Sequence, residues 1–175
     1  GALWAQKRWR AERVMVLDFD AHHGDGTEEI LADRPGVRFL SLFQWPLFPH
    51  RRMEPTPSNA VLSPLPAGAG GEEIRSVVEN VWLPEIDKFQ PDLMILSAGF
   101  DAHCEERIAQ LKAGEMDYAC VTRLLVEASF AYCEGRLVSV LEGGYELRSL
   151  ARSVFTHLQG LIRNPLPAET CKDPN

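Results

Sequence analysis

The chain alternates short apolar runs with amphipathic stretches along most of its length. Val14-Met-Val-Leu-Asp18 is apolar up to its last residue, as expected of a parallel strand buried on both faces. Residues Thr27 to Asp33 fit a short helix ahead of Pro35-Gly36, and Val37-Arg-Phe-Leu-Ser41 fits the next strand. Residues 43–71 are rich in Pro and Gly and predict a long loop, which in a compact domain is usually functional. From Glu72 to Lys88 the period is helical. Ile74, Val77, Val78, Val81 and Ile86 fall near one face, and Pro84 is expected to disturb the last turns. Leu93-Met-Ile-Leu-Ser97 predicts a third strand, Glu115 to Glu134 a long helix, and Leu137-Val-Ser-Val-Leu141 a fourth strand. A closing helix carries Leu147, Leu150, Val154, Leu158 and Leu161 as a stripe. No internal repeat breaks this order.

Alternation of this kind predicts an α/β fold, with a mainly parallel sheet covered by helices on both sides. Such sheets place their sites beyond the carboxyl ends of the strands. The polar residues obey that rule. Strand one runs out through Asp18, Asp20, His22 and His23, strand two ends at Ser41, strand three leads to Asp101, and strand four to Glu142, Gly143, Gly144 and Tyr145.

Asp18, Asp20 and His22 alternate, so an extended backbone would carry all three to one side. Asp20 and His22 can then converge on one cation, with Asp101 as a third ligand from a neighbouring strand. One imidazole and two carboxylates suit a borderline divalent metal, zinc by default. Three protein ligands leave one position open, which marks a catalytic rather than a structural centre. A lone Asp-x-His after a strand is more often a cap or surface polarity. Three polar clusters at the same sheet edge favour a site.

Composition narrows the class. The 175 residues suffice for one domain, with 45% hydrophobic and 25% charged residues as in ordinary globular proteins. A net charge of -7 argues against nucleic-acid binding through a basic surface. Cys104, Cys120, Cys133 and Cys171 show no CxxC spacing, so they are read as reduced thiols of a cytoplasmic protein. No apolar run approaches the roughly 20 residues of a membrane span, and no secretory signal is visible. The chain opens on Gly1-Ala-Leu-Trp within a helical pattern and without Met, which predicts an upstream segment. Residues 164–175 are read as a frayed C-terminal tail.

Three motifs then carry a likeness: Asp18-Phe-Asp-Ala-His-His-Gly-Asp-Gly-Thr27, Ser97-Ala-Gly-Phe-Asp-Ala102 and Leu141-Glu-Gly-Gly-Tyr145. They resemble those of the histone deacetylase and acetylpolyamine amidohydrolase family, particularly its class II-like bacterial branch. The resemblance implies a three-layer α/β/α, arginase-like fold with its N-terminal part missing, residues 1–163 being the C-terminal part of the domain. It implies zinc held by Asp20, His22 and Asp101, and a Tyr145 hydroxyl that hydrogen-bonds the scissile carbonyl and its oxyanion. Asp18 and Asp25 match carboxylates that, in the family, bond a pair of active-site histidines not present in this sequence. His23 matches a position that is not a zinc ligand, so its role is taken as structural. A potassium ion is implied near Asp18, Asp20, His22, Ser41 and Leu42, through hard oxygen ligands.

Substrates implied are acetylated proteins, polyamines or small molecules, with no direct nucleic-acid or membrane partner; oligomeric state is left open. The chain alone is expected to be inactive and poorly soluble. Two departures lie on the long loop that would help line the entrance, where Phe43 replaces a polar His and Phe48-Pro-His-Arg-Arg52 replaces a Pro-Gly-Thr-Gly turn; His103-Cys-Glu-Glu-Arg107 also differs from an acidic pair followed by Pro or Met. Two other readings compete. One is a non-catalytic metal- or acetyl-group-binding module. The other is an arginase-like ureohydrolase, which needs a second-metal carboxylate where Gly24 stands.

Overall fold

The computed structural model describes residues 1–50 and 56–162. Five strands pair in parallel: β1 (Val14–Asp18), β2 (Val37–Gln44), β3 (Ala60–Leu65), β4 (Leu93–Ala98) and β5 (Leu137–Leu141). Their spatial order is β3-β2-β1-β4-β5. The helices are α1 (Ala2–Trp9), α2 (Asp25–Leu31), α3 (Gly71–Val77), α4 (Leu83–Phe89), α5 (Glu115–Cys133) and α6 (Leu147–Leu161).

Alternate side chains of β1 build two cores. Val14 and Val16 join Ala2, Ala5, Leu31, Val37, Phe39 and Leu93 on the face covered by α1 and α2. Met15 and Leu17 join Val78, Trp82, Ile86, Met94, Leu96 and Leu125 on the face covered by the remaining helices. All five β1 residues are buried, which explains the unbroken apolar run. The result is the three-layer α/β/α arrangement with a parallel sheet.

Two elements differ from the sequence reading. β3 lies inside the expected loop, and β2 runs on to Gln44. β3 contains Pro64, which can offer no N–H to a ladder, yet the strand is an edge and pairs on one side only. The helix expected from Glu72 to Lys88 is broken in the middle: Val78–Trp82 is a π-helical turn between α3 and α4. The Leu83 N–H bonds the Val78 carbonyl, five residues back. Pro84 lacks the N–H that would continue an α-helical ladder, and the widened turn carries the chain past that gap. The expected tail, residues 164–175, and the 163 domain boundary lie outside the described residues.

From β1 the chain steps outward to β2 and β3, then returns across β1 to β4 and β5. The strand order therefore reverses between β1 and β4. In open parallel sheets the crevice beyond such a reversal is where ligands bind.

Candidate metal centre

Asp20 and His22 follow β1, and Asp101 follows β4, so all three rise from the two strands flanking the reversal. One ligand atom from each lies within 4.8 Å of the others. His22 Nδ1 is 3.1 Å from Asp20 Oδ1 and 2.9 Å from Asp101 Oδ2. Backbone N–H groups hold both carboxylates in place. The His22 N–H donates to Asp20 Oδ1 and the Gly143 N–H to Asp20 Oδ2, each at 2.8 Å. The Ala21 N–H donates to Asp101 Oδ1 at 2.8 Å.

Glycines make the approach possible. A Cβ at Gly99 would lie 2.2 Å from Asp20 Oδ2, and one at Gly143 would lie 2.4 Å from both Asp20 Oδ2 and Asp101 Oδ2. In the sequence the only signal of this role is position: Gly99 directly follows β4 and Gly143 lies two residues past β5.

The donor set fits a divalent cation. Tetrahedral ligands about 2.0–2.1 Å from zinc stand roughly 3.3 Å apart, close to the separations at His22 Nδ1. The electrostatics agree. His22 is raised to about 10, first by its hydrogen bonds to Asp101 and Asp20, against the opposing effect of burial. Asp101 is raised by burial. Burial pushes Asp20 the same way, yet hydrogen bonds from the His22 ring, the His22 N–H and the Gly143 N–H hold it below its usual range. Two carboxylates and an imidazole that clings to its proton form a pocket of negative potential, which a metal dication can occupy in place of that proton.

β1 ends at Asp18, the Phe19 N–H still bonds the Ser97 carbonyl at 3.1 Å, and the chain bends at Ala21 and His22, so the three residues do not lie on one extended strand. Asp18 Oδ1 accepts the Asp20 N–H at 3.0 Å, and Asp20 in turn accepts the His22 N–H. Asp18 therefore supports the ligand turn and is not grouped with the three ligand atoms. It is buried, and burial drives its carboxyl well above the usual range.

Asp25 is exposed in the first turn of α2, its carboxylate bonding the Gly26 N–H at 2.8 Å. Ser41 sits opposite Asp18 in the β1–β2 register, and Leu42 is buried beside it. His23 is buried between Glu28 and Ser41, with Nε2 2.8 Å from Glu28 Oε2 and Nδ1 3.3 Å from Ser41 Oγ. Tyr145 follows β5 with its side chain exposed, and its phenol is pushed up by slight burial and then by the charges of Asp101 and Asp20. Of the other histidines, His103 is buried beside Glu115, His157 lies between Thr122 and Ser139, and His50 packs near Phe48.

Cys104 and Cys133 are free, as expected, whereas Cys120 is disulfide-bonded, against the reading of four reduced thiols. Spacing in sequence carries no signal for a pairing made in space. Among the described residues, no helix is long and apolar enough to cross a membrane.

Comparison with known proteins agrees with the geometry. The chain is 34% identical to a chloroplastic histone deacetylase of Oryza sativa subsp. japonica, over 99% of this chain and 40% of that protein. It is 31% identical to a polyamine deacetylase of Mus musculus, over 93% of this chain and 26% of that protein. The solved structure of the histone deacetylase Clr3 superposes with a TM-score of 0.83 at 28% identity, covering 93% of this chain and 29% of that one. The chain thus spans less than half the length of these relatives. The model of the histone deacetylase domain matches residues 1–161, nearly everything described above, and the chain belongs to the histone deacetylase domain family.

Proposed function

We propose that the protein is a zinc-dependent amide hydrolase that removes acetyl groups from acetylated amines of the acetyl-lysine or acetylpolyamine type. The observation that carries this reading is the convergence of Asp20, His22 and Asp101 at the reversal of strand order. These three would hold the zinc, which supplies Lewis-acid polarisation of the amide carbonyl. Tyr145 stays protonated because burial and the neighbouring carboxylates oppose its ionisation. Its hydroxyl can therefore donate a hydrogen bond to the carbonyl oxygen as negative charge develops there. Asp18 fixes the turn that carries Asp20. Asp25, exposed in the first turn of α2, is the carboxylate we assign to orient an imidazole. A potassium ion near Ser41 and Leu42 is supported by the pairing of Ser41, inside β2, with Asp18 at the end of β1, which sets oxygen-bearing groups of two strands side by side.

Residues 1–163 are read as the C-terminal part of the deacetylase domain, followed by a tail. Residues 1–175 alone should lack appreciable activity. Among the described residues, His22 is the histidine that joins the ligand group. A centre with one imidazole also favours the second reading, a non-catalytic metal- or acetyl-group-binding module. A cytoplasmic setting is supported by the free Cys104 and Cys133 thiols, and the disulfide at Cys120 weighs against it. The test is hydrolysis of an acetyl-lysine peptide and an acetylpolyamine by matched preparations of residues 1–175 and the full-length protein, with zinc content measured in each. We expect zinc-dependent turnover in the full-length protein and roughly 10²–10⁴ less in the shorter one, the usual worth of general-base assistance. Equal, zinc-dependent activity in both would refute the need for a further base. A zinc-loaded full-length protein with no activity on either substrate would favour the binding module.

A further inference from the structure

The loop from Glu142 to Glu146 is fastened at two places. At its start, the Gly143 N–H donates to Asp20 Oδ2 at 2.8 Å, and the Gly143 carbonyl accepts the Phe100 N–H at 2.8 Å. At its end, Glu106 Oε1 accepts two successive backbone N–H groups, from Tyr145 at 2.6 Å and from Glu146 at 2.8 Å. Between the two fastenings lies Gly144, at φ +132. That conformation is open to glycine and strained for other residues, so the link turns freely unless both sides are held. The first fastening belongs to the metal centre. The second belongs to a half-buried carboxylate from the loop after β4.

Glu106 is itself held. Its N–H donates to the His103 carbonyl at 2.9 Å. His103 Nδ1 accepts the Glu105 N–H at 3.1 Å, and Glu105 pairs with Arg152 of α6 at 2.6 Å. Segment 103–107 thus bridges β4 and the start of α6.

We propose that Glu106 is the positioning residue for Tyr145, clamping the loop so that the phenol stands over the metal ligands. The clamp rests on the deacetylase reading of Tyr145 for its consequence, and on the two hydrogen bonds alone for its existence. A carboxylate accepting two N–H groups on one oxygen makes charge-assisted bonds, stronger than neutral ones. Losing them would leave Tyr145 exposed on an edge loop with a free glycine pivot before it.

Two readouts test it, both in the full-length protein. The first is amide hydrogen exchange, which needs neither metal nor activity. Glu106→Ala should speed exchange at Tyr145 and Glu146 by about tenfold or more, while Leu96 in β4 stays protected as evidence of an intact fold. Glu106→Gln keeps a carbonyl acceptor and should restore most of the protection. The second readout is kinetic. Glu106→Ala should lower kcat roughly tenfold to a hundredfold with little change in KM or zinc content, the signature of a displaced group. In a Tyr145→Phe background the same substitution should cost less than about twofold. Unchanged exchange at Tyr145 and Glu146 would overturn the clamp, as would kinetic losses that multiply in the double variant. A wild-type protein inactive on acetylated amines would sink the functional reading alone, because the exchange rates still decide whether the clamp exists.

Discussion

The site draws on two kinds of strand, and they differ in how firmly they hold what they carry. β1 and β4 lie inside the sheet, each paired on both sides, and every residue of β1 is buried. β5 pairs with β4 alone and leaves Val138, Val140 and Leu141 about half exposed, at 48%, 46% and 57%. The interior strands deliver Asp20, His22 and Asp101; backbone N–H groups fasten both carboxylates, and these in turn hold the His22 ring. The edge strand delivers Tyr145, a residue 62% exposed. A metal centre tolerates little error in ligand position, so it belongs where pairing and packing fix the chain from both sides. A hydrogen-bond donor to a reacting carbonyl can come from an edge if its loop is fastened separately.

The same contrast separates the two edges. β3 ends the sheet with Ser63 and Pro64, a proline that blunts further pairing. β5 ends it with Val and Leu, and α6 beside it exposes Leu147, Phe155 and Leu158, with Ile162 exposed just past its end. An open apolar edge with no blunting residue is a template for association. Residues 1–175 alone should therefore be poorly soluble, aggregating through β5 rather than β3.

Substitutions can break or sharpen this comparison. The largest effect is expected at the centre. Asp20→Ala in the full-length protein should abolish zinc binding and turnover together, read by elemental analysis and a peptide assay; either property surviving intact would contradict the assignment. Tyr145→Phe should leave zinc bound and slow turnover by roughly 10²–10³, the usual effect of removing an oxyanion donor. Wild-type turnover in that variant would remove Tyr145 from the chemistry.

Packing should show the same gradient. Leu96→Ala in β4 removes a fully buried side chain and should cost about 2–5 kcal/mol in denaturant unfolding. Val140→Ala in β5 should stay within about 0.5 kcal/mol, as for a surface position. Equal losses would mean that β5 is packed far more tightly than its exposure indicates.

A separate effect concerns acid. Buried His157 bridges Thr122 and Ser139, with Nδ1 2.6 Å from Thr122 Oγ1 and Nε2 2.8 Å from Ser139 Oγ. The Thr122 hydroxyl already donates to the Tyr118 carbonyl, so it accepts from Nδ1–H, and Nε2 accepts from Ser139. Burial lowers His157 from its ordinary value of 6.5 to about 4. Between those values the unfolded chain binds a proton that the folded one refuses. Its contribution is whole above pH 6.5 and is lost as pH falls toward 4, by about 1.4 kcal/mol per unit at most. His157→Gln should flatten the stability profile across that window; an unchanged slope would assign the acid sensitivity elsewhere.

Much of this was legible in the sequence, and the omissions have physical causes. Asp20, His22 and Asp101 could be read because parallel strands announce themselves as apolar runs and sites follow their carboxyl ends. β3 could not, because an edge strand tolerates Pro64 and partial exposure, which by pattern look like loop. The π-helical turn at Val78–Trp82 was legible only as a disturbance near Pro84. The turns at Asp18 and Asp20 depend on side chains bonding backbone two residues ahead, a choice that alternation cannot reveal. Glu106 was invisible because its partners are backbone amides 39 and 40 residues away, which leave no mark on side-chain pattern.

The central claim is that Asp20, His22 and Asp101 hold a zinc ion. It is tested most directly by anomalous diffraction at the zinc edge, from crystals of the zinc-loaded full-length protein. The account predicts one strong peak at the point these residues enclose, about 2.0–2.2 Å from an oxygen of each aspartate and a nitrogen of His22. Loaded crystals with no peak at that point, or with zinc bound elsewhere, would contradict it.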